Sequence, residues 1–142
     1  MRIAAACLVL AWLAALSCYD IRERRLPNAL TLTGAAAILV VATMAGRGPA
    51  ALGGTLGLTA IYLAVHCAAP RGMGAGDVKL ALGLGALTGY FGIGVWFLAA
   101  LGAPLLTAGI GAVARLRGDT ATLPHGPSMC LASAAGVGLA LL

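Results

Sequence analysis

Residues 80–114 read LALGLGALTGYFGIGVWFLAALGAPLLTAGIGAVA, which is 35 residues without a charged side chain. A bilayer core about 30 Å thick is crossed by roughly 20 helical residues, so this run is too long for one span and short for two. Basic residues lie on both sides of it, at Arg71, Lys79, Arg115 and Arg117. Loops rich in Lys and Arg stay on the cytoplasmic side of a membrane, so we expect the chain to cross twice between the two clusters.

The double crossing requires a turn inside the run. Residues 89–92 (GYFG) supply two glycines and two aromatic side chains, which suit a turn at the membrane interface. The remaining apolar segments end at charges, prolines or glycines and predict four further spans. In chain order, the six predicted spans cover residues 3–19, 29–46, 50–69, 78–89, 93–114 and 127–142.

The composition of the whole chain agrees with a membrane protein. Of its 142 residues 61% are hydrophobic and 9% are charged, whereas an average soluble domain has about 25% charged residues. So few charges cannot cover a water-exposed surface, and the abundant Ala and Gly allow close packing of membrane helices. We predict an all-α polytopic protein in the lipid bilayer, with a single integral-membrane domain over residues 1–142.

Basic residues are distributed unevenly between the two sides of this predicted topology. The three loops on one side hold seven of them, namely Arg22, Arg24, Arg25, Arg71, Lys79, Arg115 and Arg117, and the other side holds Arg2 and Arg47. This bias predicts that both termini face outward. It also explains the net charge of +5 through membrane orientation, so we expect no nucleic-acid partner.

Four acidic residues occur in the chain, and two of them, Asp20 and Asp77, lie at the cytoplasmic ends of predicted spans. Asp77 directly precedes an apolar helix, so an N-capping role is one alternative. Asp20 ends a helix, where the helix dipole disfavours negative charge, unless Arg24 or a functional role compensates. Carboxylates at the membrane are costly and are therefore candidates for function.

A pair of carboxyl groups is suited to peptide hydrolysis. Two adjacent carboxyls share one proton, so the ionised member can activate water while the protonated member donates to the scissile carbonyl. No cofactor or metal is needed for this chemistry. His66 and His125 belong to no zinc-binding motif, and no serine lies in a hydrolase motif.

Three segments of the sequence carry a resemblance to a known family. They are DIRERRLPN at residues 20–28, GAGDVKL at 74–80 and LPHGP at 123–127. In this order they resemble the signatures of the type IV prepilin peptidases: an aspartate followed by Pro-Asn, a GxGDxKL element, and a Pro-x-Gly-Pro element before the last span.

The resemblance implies a GxGD-type membrane aspartyl protease in the cytoplasmic membrane of a bacterium or archaeon. Such an enzyme cleaves the leader peptide of prepilin or pseudopilin precursors of type IV pilus and secretion systems at the cytoplasmic face. The resemblance assigns the catalytic roles to Asp20 and Asp77. Residues that would bind substrate or shape the site are Pro27, Asn28, Gly74, Gly76, Lys79, Gly126 and Pro127.

The chain departs from the family pattern in two places. It lacks the insert with paired CxxC motifs of bifunctional members, so we expect no methyltransferase activity. His125 stands where an aromatic residue is expected, which would make activity sensitive to pH. Two other functions stay open on the residues alone: a small transporter or channel subunit, and an inactive assembly subunit of a pilus or secretion system.

Overall fold

A computed structural model describes residues 2–119 and 121–142, and this part of the chain folds into six α-helices without a β-strand. The predicted all-α fold class is thus confirmed. In chain order the helices are α1 (Arg2–Glu23), α2 (Asn28–Met44), α3 (Gly48–Ala68), α4 (Ala75–Phe91), α5 (Ile93–Leu116) and α6 (Gly126–Leu141).

The helix boundaries follow the predicted spans closely and differ mainly at the site-forming ends. α1 continues past the predicted end at residue 19 and includes Asp20 in its last turn. α4 begins earlier than predicted and includes Asp77 in its first turn. The break between α4 and α5 is Gly92, whose φ of 121° is open to glycine and strained for other residues.

Consecutive helices run in opposite directions, so the bundle has two distinct ends. At one end the last turn of α1 meets the start of α6, and the starts of α4 and α2 are joined by a Lys79–Asn28 hydrogen bond. At the other end the Arg47 guanidinium, before α3, donates to the carbonyl oxygen of Tyr90, 2.9 Å away, near the end of α4.

α4 is the central helix, because it packs against α2, α3, α5 and α6, and most of its residues from Leu80 to Gly89 are buried. Its closest partner is α3. A Cβ on Gly85 would lie 2.5 Å from the Gly54 carbonyl oxygen, and one on Gly89 would lie 2.7 Å from that of Ala50. These two helices therefore touch backbone to backbone, as small residues permit in membrane bundles.

The outer surface of the bundle is apolar. Within the described ranges, three helices are long and apolar enough to cross a membrane: residues 3–23, Gly48–Ala68 and Ile93–Leu116. α2 and α6 are apolar but shorter. Large apolar side chains point outward from the bundle, among them Ile3, Leu8, Val41, Met44, Ile93, Leu105 and Leu116. Such a surface fits lipid and not water, which makes this a membrane protein. The six crossings and the outward termini stay predictions.

Candidate active site

Asp20 lies in the last turn of α1 and is only 8% exposed. Its carboxylate accepts a hydrogen bond from the backbone N–H of Gly126, with the nitrogen 3.0 Å from Oδ2. Gly126 is the first residue of α6, so the carboxylate lies at the positive end of that helix dipole. The start of α6 therefore offsets the unfavourable position of Asp20 at the end of α1.

Gly126 is glycine for a steric reason. A Cβ at this position would lie 2.5 Å from Oδ2 of Asp20 and 2.9 Å from its carboxyl carbon, closer than real Cβ atoms approach other heavy atoms. Pro127 follows in the first turn of α6, where its missing N–H leaves no helical hydrogen bond unmade. Gly126, from the third sequence segment, thus lies directly against Asp20.

Asp77 lies in the first turn of α4 and is also 8% exposed. The N-cap of α4 is Gly74, whose carbonyl oxygen accepts from the Asp77 backbone N–H at 3.1 Å. The N-capping alternative for Asp77 is therefore wrong. Its carboxylate instead lies within charge-interaction range of Asp20, as do the side chains of Tyr62 and His66 on α3.

The two glycines of the GAGD segment have ordinary backbone angles and not the unusual ones that glycine permits. Gly74 has a φ of −74°, and Gly76 lies inside α4. A Cβ on Gly76 would meet Leu26 at 3.5 Å, and one on Gly74 would meet Asp77 at 3.9 Å; both are ordinary contacts. What the glycines provide is bare backbone beside Asp77.

Pro27, Asn28 and Lys79 are brought together beside the aspartates. Pro27 is the N-cap of α2, and its carbonyl oxygen accepts from the Thr31 hydroxyl at 3.2 Å. Lys79, from the GAGDVKL segment, donates through Nζ to Oδ1 of Asn28 at 2.8 Å. This bond links the first two sequence segments directly.

Arg24 has a structural role besides the topological one suggested by its charge. Arg24 directly follows the last residue of α1 and has a left-handed φ of 49°. Its guanidinium donates to both Oγ1 and the carbonyl oxygen of Thr122, at 2.8 and 3.2 Å. The segment before α6 is thereby fastened to the end of α1, which favours the contact between Gly126 and Asp20.

A group of three polar residues near the aspartates was not predicted from the sequence. It consists of Tyr62, Thr107 and His125, of which only His125 had been noted. Tyr62 is 5% exposed and lies one turn before His66 on α3. The imidazole of His125 contacts the hydroxyl groups of both Tyr62 and Thr107. The one signal in the sequence was His125 itself, which differs from the family pattern. Its partners lie 63 and 18 residues away in the sequence, so a local sequence pattern could not predict them.

His66 fastens the loop before Asp77. Its Nδ1 lies 2.7 Å from the carbonyl oxygen of Met73, the residue that precedes the GAGD segment.

Across residues 2–119 and 121–142, no three His, Cys, Asp or Glu side chains lie close enough together to bind a metal ion. The local chemistry is that of two carboxyl groups with hydrogen-bonding neighbours.

Comparison with known proteins identifies the family of the chain. The model of the Type IV leader peptidase family matches residues 7–112, a range that includes Asp20 and Asp77 but ends before Gly126. No curated protein and no solved structure matches the chain significantly. The family match covers well over half of the sequence, and the chain belongs to the Type IV leader peptidase family.

Proposed function

We propose that the protein is an aspartic endopeptidase of the cytoplasmic membrane that removes leader peptides from prepilin or pseudopilin precursors. The observation that carries this proposal is the pair of carboxyl groups itself. Asp20 and Asp77 are 57 positions apart in the sequence. They nevertheless lie at the same end of the bundle, both nearly buried and within charge-interaction range.

The pair performs hydrolysis with water as the nucleophile. The ionised carboxylate takes a proton from water as the water oxygen attacks the scissile carbonyl carbon, and the protonated carboxyl donates its proton to the carbonyl oxygen. The tetrahedral intermediate then collapses: the carboxyl that took the proton from water gives it to the departing amine as the C–N bond breaks, and a hydroxyl of the intermediate returns a proton to the other carboxylate. The pair ends with one shared proton, as it began.

The position of the pair agrees with a substrate anchored in the membrane. Both aspartates lie at helix ends, and residues on the same end include the basic loops that predict the cytoplasmic side. A prepilin leader, which is short and positively charged, would reach this end without leaving the interface. Gly74 carries no side chain beside Asp77, which leaves room there for the substrate.

The test is cleavage of a purified prepilin by the full-length enzyme in detergent, with Asp20→Asn and Asp77→Asn as variants. Each isosteric change removes one proton-transfer group, so we expect the cleavage rate to fall by about 10²- to 10⁴-fold. Mass spectrometry of the product would confirm a single cut after the leader.

The matched control for these variants is Asp119→Asn. Asp119 is exposed and its carboxylate accepts the backbone N–H of Ala121 at 2.9 Å, so its loss should leave cleavage unchanged. Undiminished cleavage by either well-folded aspartate variant would reject the two-carboxylate mechanism. Ion or solute flux in vesicles that depends on Asp77, without proteolysis by the wild type, would instead support the transporter alternative.

A further inference from the structure

A second polar cluster lies beside the aspartates and has no part in the hydrolysis as described. It consists of Tyr62 on α3, Thr107 on α5 and His125 directly before α6. The Tyr62 hydroxyl oxygen is 3.0 Å from Nε2 of His125, and Oγ1 of Thr107 is 2.6 Å from Nδ1. Both imidazole nitrogens are therefore engaged, each by a hydroxyl group from a different helix.

The direction of these hydrogen bonds depends on where the single hydrogen of the Thr107 hydroxyl goes. The hydroxyl lies 3.1 Å from the Ala103 carbonyl oxygen, one turn earlier in α5, and donation to that carbonyl leaves it an acceptor toward His125. With this assignment the imidazole hydrogen is on Nδ1, and Nε2 accepts the hydrogen of Tyr62. Burial lowers the pKa of His125 from its usual value, which keeps the ring neutral and this arrangement intact at pH 7.

This direction has a consequence for Asp77. The Tyr62 oxygen has donated its hydrogen to His125 and retains lone pairs, so toward other neighbours it can act only as an acceptor. Tyr62 lies within charge-interaction range of Asp77. An accepting oxygen favours a carboxyl that carries a proton over one that is ionised, whether the contact is direct or passes through a water molecule.

A backbone N–H lies near each carboxyl, that of Gly74 at Asp77 and that of Gly126 at Asp20, whereas the accepting Tyr62 hydroxyl lies on the Asp77 side. The Asp20 carboxylate accepts the Gly126 N–H at the start of α6, and such a charge-assisted hydrogen bond favours the ionised form. His125 immediately precedes Gly126, and its carbonyl oxygen accepts from the Met129 N–H at 3.1 Å in the first turn of α6. The imidazole contacts with Tyr62 and Thr107 hold residue 125 in place, and with it the helix start that lies against Asp20.

We propose that His125 is a positioning residue that divides the roles of the pair: it turns the Tyr62 hydroxyl away from Asp77 and holds Gly126 on Asp20. Asp77 then carries the shared proton and donates it to the carbonyl oxygen, while Asp20 takes the proton from water. Tyr62 and His125 exchange no proton with substrate. This inference rests on the proposed peptidase function. An aromatic hydrocarbon at position 125, as in the family pattern, could fill the same space but could not accept from Tyr62.

The test uses the full-length enzyme and purified prepilin with the variants Tyr62→Phe, His125→Phe and the double variant. We expect each single change to lower kcat by about 10- to 100-fold, as misplacement of catalytic groups does, with KM nearly unchanged. The double variant should remain at the level of Tyr62→Phe. If the pair were only a packing contact, replacing both partners by apolar rings would restore stability and activity, and a wild-type kcat in the double variant would overturn the proposal.

A conservative variant separates hydrogen bonding from shape. In His125→Gln, the side-chain amide oxygen can accept from Tyr62, so kcat should recover most of what His125→Phe loses. Equal rates in the Gln and Phe variants would contradict the proposed direction of the Tyr62 hydroxyl. Tyr90→Phe is the matched control, because Tyr90 lies at the opposite end of the bundle and its ring contacts Arg47 and Phe91.

The pH profile supplies a readout that packing alone would not change. The groups that face His125 are Tyr62 from α3 and Thr107 from α5, with Asp20 of α1 one residue away through Gly126. When the imidazole is protonated it has no acceptor atom, so Tyr62 must turn. Activity should therefore fall as the pH drops through the lowered pKa of His125, and His125→Gln should shift this acid limb to lower pH. An identical profile in both enzymes would contradict the proposal. Absence of cleavage by the wild type would instead reject the peptidase function.

Discussion

Gly126 lies against Asp20 so closely that a single methyl group would not fit between them. The Cβ of an alanine would lie 2.5 Å from Oδ2 of the carboxylate. Gly126→Ala should therefore displace Asp20 or the start of α6 and break the hydrogen bond between them. We expect kcat/KM for prepilin cleavage to fall by about 10- to 100-fold, since small displacements of catalytic groups have effects of this size.

Gly138→Ala is the matched control for this prediction, because Gly138 lies in the same helix and a Cβ there would have no atom of the described residues within 4 Å. It should leave cleavage unchanged and stabilise the helix by roughly 0.5–1 kcal/mol, the usual gain from Gly to Ala. If Gly126→Ala cleaved prepilin as fast as Gly138→Ala, the N–H of Gly126 would have no functional part at Asp20.

At the scale of helices, the contact between α3 and α4 is the closest, and it joins the helix of Tyr62 and His66 to the helix of Asp77. Gly54 and Gly85 meet backbone to backbone, and Nε1 of Trp96 on α5 donates to the Gly54 carbonyl oxygen at 2.9 Å. A Cβ on Gly54 would overlap the carbonyl oxygen of Gly85. Because backbone atoms cannot move aside, Gly54→Ala should lower the free energy of unfolding by about 1–3 kcal/mol.

The neighbouring residue provides a control on the same helix. Gly53 has open space around its Cβ position, so Gly53→Ala should preserve or slightly raise stability. Thermal unfolding of the detergent-purified proteins measures the difference. A higher midpoint for Gly54→Ala than for the wild type would show that α3 and α4 do not touch at this point.

At the scale of the whole molecule, the alternating helices place the aspartates and most basic loop residues at one end. In a variant without its native cysteines, single cysteines at Arg71 and Ala45 would lie at opposite ends of α3. A membrane-impermeant maleimide applied to intact spheroplasts should label the cysteine at position 45 and should label the one at position 71 only after permeabilisation.

The opposite labelling pattern would invert the proposed orientation, and equal labelling of both positions from outside would exclude a crossing by α3. Cysteines introduced at Ala121 and at Gly94 extend the same test to α5. Position 121 should behave as position 71 does, since both lie at the aspartate end, and position 94 should behave as position 45 does.

The sequence by itself determined where the helices lie, and it singled out Asp20 and Asp77 as the candidate pair. Placing a charge in lipid is costly, so the apolar runs end at charged residues and glycines, and this cause is local. Hydropathy therefore located the six described helices to within a few residues. The exceptions are informative: α1 and α4 include Asp20 and Asp77, because hydrogen bonds and partners within the bundle compensate carboxylates that hydropathy assigned to the loops.

Only the tertiary structure decided which polar groups meet. The Gly126 N–H on Asp20, the Lys79–Asn28 bond and the link between Tyr62 and His125 each join residues at least 51 positions apart. The local periodicity of the sequence carries no information about such pairs. They depend on how closely two helices approach and on how each helix is rotated about its own axis. Glycine contacts between helices set that approach, and so they set the surroundings of the two carboxyl groups.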